Sequence, residues 1–142
     1  AKHQQISKNI KIDYNNIREL LYEKVKDRRL YINGKNCNFV ATYFESKEDV
    51  IYITDELGNR IQNDKQTKEW NKKIFFVGDS FTFGSLSNYE YTYPFTSIQK
   101  INEFSKITYK EVNKGVNGYQ ISQVLQIANT VLVLIVEQML FK

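Results

Sequence analysis

The chain of 142 residues has one cysteine, one histidine, one proline, one methionine and one tryptophan. A single cysteine, Cys37, excludes an intramolecular disulfide and any cysteine metal cluster. With His3 as the only imidazole, a zinc site has too few ligands, so no metal is expected. The apolar run over residues 131–136 is far shorter than the ~20 residues that cross a bilayer, which predicts no transmembrane segment. Residues 1–16 are polar throughout, and no secretory signal is visible in them. Basic residues exceed acidic ones by only four, 20 against 16. The lysines are scattered, and without a basic stripe no nucleic-acid partner is expected. Lys24, Lys26, Arg28 and Arg29 form the one short cluster and read as a solvated helix face. There is no internal repeat, low-complexity tract or glycine-rich linker.

What is present suffices for one domain with a core. Residues 15–30 carry Ile17, Leu20, Leu21 and Val25 at helical spacing, and Asn33-Gly34 ends the pattern. Residues 39–44 and 50–54 are rich in β-formers on either side of a polar stretch, which predicts a hairpin. Residues 55–71 read as a polar surface connection anchored by Trp70. Arg60 within it reads as an ion-pair tie of its loop to the domain. From Lys73 the pattern changes. Ile74-Phe75-Phe76-Val77 is a continuous apolar run ending at Gly78, as in a strand buried on both faces. Pro94 opens a helix that buries Phe95, Ile98 and Ile101. Residues 107–112 read as a strand, 120–128 as a helix and 131–136 as a third apolar strand. Strand–helix–strand–helix–strand with short links predicts a parallel, doubly wound sheet. The expected organisation is a helix and hairpin extension over residues 1–71, followed by an α/β domain over 72–142.

Chemistry concentrates in Val77-Gly78-Asp79-Ser80-Phe81-Thr82-Phe83-Gly84. A Gly-Asp-Ser turn at the carboxyl end of a buried strand stands where open α/β sheets bind ligands. There the Ser80 hydroxyl is exposed beside backbone N–H groups, which suits an acyl-transfer nucleophile. The competing reading of Ser80 is a turn serine that caps its own loop. Thr82 and Tyr119 read as packing and loop residues.

The Gly78-Asp79-Ser80 run resembles the first sequence block of the SGNH (GDSL-type) serine hydrolases. Tyr52-Ile53-Thr54-Asp55-Glu56-Leu57-Gly58-Asn59-Arg60 is similar to the segment before that block in many bacterial members. Tyr93-Pro94 matches the start of the following helix, and Asn113-Lys114-Gly115-Val116-Asn117-Gly118-Tyr119 is similar to the second block. The resemblance spans roughly residues 52–136. It implies a three-layer α/β/α fold with a parallel sheet and an ester hydrolase or acyltransferase activity. Ser80 would be the nucleophile, Ser80 and Gly118 would supply oxyanion N–H groups, and Asp79 would support the serine turn. It implies no cofactor, and a small-molecule or carbohydrate ester as substrate, with an O-acylated sugar favoured.

The sequence departs from the pattern at its end. The family's Gly-x-Asn-Asp block should follow residues 131–136, where this chain reads Glu137-Gln138-Met139-Leu140-Phe141-Lys142. The Asp-x-x-His block is absent, and His3 matches no motif. A chain cut after its third strand, inactive alone, is therefore expected. Two alternatives belong to other classes. One is a degenerate, non-catalytic binding module. The other is a flavodoxin-like domain, with Ser80-Phe81-Thr82-Phe83-Gly84 cradling a phosphate or FMN.

Overall fold

The computed structural model describes residues 11–12, 20–42, 49–62 and 69–140. Its strands are β1 (Lys11–Ile12), β2 (Tyr22–Lys24), β3 (Tyr31–Asn33), β4 (Asn38–Thr42), β5 (Asp49–Thr54), β6 (Arg60–Ile61), β7 (Lys72–Gly78) and β8 (Tyr109–Gly115). Its helices are α1 (Ser80–Phe83), α2 (Tyr93–Phe104) and α3 (Ile121–Leu140), with a 3-10 turn at Tyr89–Tyr91.

β2 and β3 form a separate antiparallel pair, and the other six strands form one sheet in the order β1-β4-β5-β6-β8-β7. Within that sheet β1–β4 and β7–β8 are parallel, whereas β4–β5, β5–β6 and β6–β8 are antiparallel. The fold is thus a small mixed α/β arrangement, and the expected parallel three-layer α/β/α architecture is not formed. Two local outcomes explain the difference. Residues 131–136 continue α3 instead of forming a third strand. On the other side of β8 the chain supplies the antiparallel strand β6, centred on Arg60↔Asn113. Only β7 and β8 keep the strand–helix–strand crossover, and among the described residues β7 ends the sheet. The fold implied by the SGNH resemblance and that of the flavodoxin-like alternative are both overturned by this finding.

The hairpin expected from residues 39–44 and 50–54 is present as β4 and β5, paired from Asn38↔Ile53 to Thr42↔Asp49. Period-two burial of Phe39, Ala41, Val50 and Tyr52 places one face of it in the core with Leu21, Cys37 and Phe83. The helix expected over residues 15–30 fails from Tyr22 onward. Tyr22–Lys24 pairs instead with Tyr31–Asn33, across a turn closed by Val25 N–H to Leu30 O at 3.0 Å and Leu30 N–H to Asp27 O at 3.0 Å. Leu30 occupies positive φ in that turn. The basic cluster therefore lies on a hairpin turn rather than a helix face, and Arg29 is held by Asp27 at 2.6 Å. Residues 13–19, at the start of the expected helix, and His3 lie outside the described residues.

Residues 55–62 are no surface connection, because Arg60 in β6 is the largest fully buried side chain, 1% exposed. Trp70 is 42% exposed and lines a groove with Tyr89, Phe95 and Ile98. Cys37 is buried in the hydrophobic cluster near the Asn33-Gly34 bend, and burial raises its thiol pKa. Pro94 stands in the first turn of α2, where its missing N–H costs no hydrogen bond.

Candidate active site

β7 ends in Gly78 and β8 in Gly115, and the two glycines are partners in the parallel register. Val116 N–H donates to Gly78 O at 3.0 Å, which fastens the two strand ends together. The Ser80 turn leaves one strand and the Gly118 turn leaves the other, so both stand at the same carboxyl edge of the sheet. Open α/β sheets bind ligands at that edge.

Asp79 is the N-cap of α1. Its Oδ1 accepts from Phe81 N–H at 3.0 Å, and its carbonyl accepts from Phe83 N–H at 2.9 Å. The carboxylate thus shapes the serine turn. Ser80 is the first residue of α1 and is partly exposed, while Phe81 beside it is 82% exposed. Among the described residues, neither the Ser80 N–H nor the Gly118 N–H donates to a backbone carbonyl. The chain's one histidine lies outside the described residues, so no imidazole among them faces Ser80.

The turn is held from below with little room. A Cβ on Gly115 would sit 2.1 Å from Phe83 N, and one on Gly78 would sit 1.9 Å from Thr82 Oγ1. Gly84 closes α1 in the left-handed region at φ 80°, where its N–H donates to Ser80 O. Asn113, fully buried on β8, donates through Nδ2 to Thr82 O at 2.8 Å and accepts from Gly115 N–H at 3.0 Å. Thr82 is buried, and its hydroxyl lies 2.8 Å from the Tyr93 hydroxyl.

Arg60 supplies the largest tie. Its guanidinium donates to the carbonyls of Phe83 at 2.7 Å, Gly84 at 2.5 Å, Ser87 at 2.7 Å and Ile51 at 3.3 Å. It also lies over the rings of Tyr52 and Phe83, 4.6 and 5.0 Å from their centroids. The cation stands at the carbonyl end of α1, where the peptide dipoles leave negative charge.

The Gly118 turn has its own brace from the N-terminal hairpin. Tyr31 Oη donates to Asn117 O at 2.7 Å, and Tyr119 Oη donates to Tyr31 O. Ser85 Oγ donates to Asn117 Oδ1 at 2.5 Å, which links the loop after α1 to the Gly118 turn. Gln123 Nε2 donates to Arg29 O at 2.7 Å. Burial pushes the Tyr119 hydroxyl up to about 12.

Ser80, Asp79 and Gly118, singled out from sequence, are thus brought to one edge. Tyr31, Ser85, Asn113 and Asn117 escaped that reading. A buried Asn113 inside an otherwise strand-like run was the one visible signal, because a buried amide needs partners. Two open grooves, of about 330 and 490 Å3, lie around Tyr89, and neither is lined by Ser80 or Gly118. Tyr89 Oη donates to Glu111 Oε1 at 2.9 Å there, and burial raises its pKa.

Comparison with known proteins finds no matching family model, no similar curated protein and no similar solved structure. No helix among the described residues is long and apolar enough to cross a membrane, and no group of acidic, histidine or cysteine side chains there can hold a metal ion.

Proposed function

We propose that the turn after β7 is the nucleophile turn of an ester hydrolase or acyltransferase of the SGNH kind. Ser80 Oγ attacks the ester carbonyl, and the N–H groups of Ser80 and Gly118 receive the oxyanion of the tetrahedral intermediate. The alcohol leaves with a proton, and water or a second alcohol releases the acyl group from Ser80. The observation that carries this reading is the Gly78↔Gly115 register, with both turns leaving the same sheet edge. Asp79 acts as support for the turn, in keeping with its bond to Phe81 N–H. The exposed ring of Phe81 offers an apolar surface beside the hydroxyl. An O-acylated carbohydrate remains the substrate class that the sequence resemblance favours.

Such chemistry needs a base to take the serine proton, and residues 81–142 contain no histidine. Removing the base of a serine hydrolase triad costs on the order of a million-fold in turnover. The 142-residue chain assayed alone is therefore expected to turn over esters very slowly. The second reading is a binding module that keeps the turn without catalysis. The two separate in one assay: hydrolysis of an activated acetate ester with imidazole added as a free base. Imidazole-dependent turnover above the Ser80→Ala background supports the nucleophile. Saturable binding of an acetylated sugar, with no Ser80-dependent turnover, supports the binding module.

A further inference from the structure

α3 turns one face to the sheet and a second, apolar face to solvent. The helix packs against β7, with Gln123 and Val131 buried on its inner side. At 3.6 residues per turn, Ile121, Leu125, Ala128, Leu132 and Met139 fall within about 60° of one another on a different face. Ile121, Leu125, Leu132 and Met139 are 57–79% exposed, and Ala128 among them is half-buried. Exposed Ser122 and Asn129 border the stripe. A surface helix ordinarily turns charge to water on its outer side. In α3 the one charged residue is Glu137. From Ile121 to Leu132 the stripe advances in steps of four, three and four residues, and Met139 follows seven later. That is the spacing of a seam at which one helix packs its side chains into another.

Charge, area and symmetry point to a second copy of this chain as the occupant. A helix that lies on a membrane carries Lys and Arg on its polar face, and α3 has neither. An identical uncharged stripe meets this one without repulsion and buries no unpaired charge. Fully burying a Leu, Ile or Met side chain removes roughly 100 Å2 from water. With Val133 and Leu140 on the flank, also more than half exposed, one copy leaves about 400 Å2 of apolar side chain open. Two copies would bury about 800 Å2 of apolar surface, or about 1,200 Å2 in all at the two-thirds apolar share of homodimer interfaces. Specific interfaces begin near ~1,000 Å2.

The stripe is also symmetric about position 130. Ile121 and Met139 stand nine residues to either side of it, and Ala128 and Leu132 two. In an antiparallel pair that crosses there, Ile121 faces Met139 of the second copy, and Leu132 faces the small Ala128. The helix macrodipoles then oppose one another, whereas a parallel pair would align them. We propose that the chain self-associates through α3, as a two-fold antiparallel helix pair that buries Ile121, Leu125, Leu132 and Met139. The proposal is independent of the reading of Ser80.

The test is sedimentation equilibrium of the 142-residue chain across a range of concentrations. The parent is expected to dimerise reversibly with a dissociation constant on the order of micromolar. Leu132→Lys should weaken the dimer by about a hundredfold or more, because each dimer carries the substitution twice. Leu132 is exposed on the single chain, so the variant should keep the parent's urea midpoint where both are monomers. If that variant does not fold, Met139→Lys decides in its place. Orientation is read from spin labels on Ile121→Cys, with Cys37 shielded in the core. An antiparallel pair sets the two labels about 27 Å apart along the helix axis, and a parallel pair within about 10 Å. A separation of the shorter kind overturns the antiparallel arrangement. A parent that stays monomeric at hundreds of micromolar, or a dimer that the lysine variant leaves intact, overturns the surface. A monomer that binds phosphatidylglycerol vesicles through Leu132 overturns it too, and assigns the stripe to a membrane.

Discussion

Arg60 Nη1 donates to the carbonyl oxygen of Gly84 at 2.5 Å, across the 24 residues that separate β6 from the end of α1. The bond joins an antiparallel strand to the Ser80 turn, and three further carbonyls share the same guanidinium. Arg60→Met should strand these carbonyls and cost about 4 kcal/mol, since each unsatisfied buried acceptor costs on the order of 1–3 kcal/mol. Domains of this size are stable by roughly 5–15 kcal/mol, so the variant should unfold at much lower urea. Arg60→Lys should recover only part of the loss, because an ammonium cannot fork across several carbonyls. A midpoint equal to the parent's in either variant contradicts the clamp.

The glycines under the turn are expected to differ in cost. Gly115→Ala drives a Cβ to within 2.1 Å of Phe83 N, a backbone atom that cannot swing aside. Overpacking of that kind costs about 3 kcal/mol. Gly118→Ala meets only the Tyr31 hydroxyl, at 2.8 Å, but must hold φ near 79°. Left-handed backbone costs an alanine about 1 kcal/mol. Urea midpoints in the order parent, Gly118→Ala, Gly115→Ala check the packing, and the reverse order of the two variants refutes it.

Tyr31→Phe removes the hydroxyl that bonds Asn117 O while keeping the ring against Tyr22 and Tyr119. The expected loss is about 1 kcal/mol. The amide of Gly118 should exchange faster with solvent in the variant, because the brace on its turn is gone. Unchanged exchange at Gly118 would show that the hairpin does not hold this turn.

Two groups are expected to contribute to stability at opposite ends of the pH range. Asp27 is lowered from 3.8 to about 2, first by its side-chain hydrogen bond to Arg29 and then by the Arg29 backbone N–H. The folded state binds that proton more weakly, so its stabilisation is present above pH ~4 and fades as pH falls through about 2. Tyr119 is raised from 10.0 to about 12, chiefly by burial. The folded state holds that proton more tightly, so stability should fall as pH rises from about 10 toward 12. Asp27→Asn should flatten the acid limb and Tyr119→Phe the alkaline limb of stability against pH. A variant that leaves its own limb unchanged removes that residue from the account.

How far the fold could be read from sequence depended on how local each signal was. The β4–β5 hairpin was legible, because alternation reflects burial directly. The run into β7 was legible as a strand, but not as one buried on both faces, since among the described residues β7 ends the sheet and its apolar residues are only partly buried. The start of α2 was legible from Pro94. Residues 131–136 were not, since a short apolar run does not distinguish strand from helix, and α3 extends through its β-branched residues. Tyr22–Lys24 carried helical spacing, yet the turn from Val25 to Leu30 pairs it with β3. The antiparallel placement of β6 beside β8 joins Arg60 to Asn113, 53 positions apart, which no local pattern encodes. For the site, the Gly-Asp-Ser and Gly118 turns were visible as motifs. The braces at Tyr31, Asn113 and Asn117 are tertiary bonds and left no periodic trace.

The central claim is that Ser80 is an acyl-accepting hydroxyl, and covalent labelling addresses it most directly. The folded chain is treated with a fluorophosphonate in the presence of imidazole, and the modified residue is located by mass spectrometry beside a Ser80→Ala control. The account predicts a single adduct on Ser80, formed faster with imidazole than without and missing from the control. Labelling of other serines at equal rates, or no adduct on Ser80 in the folded chain, contradicts it.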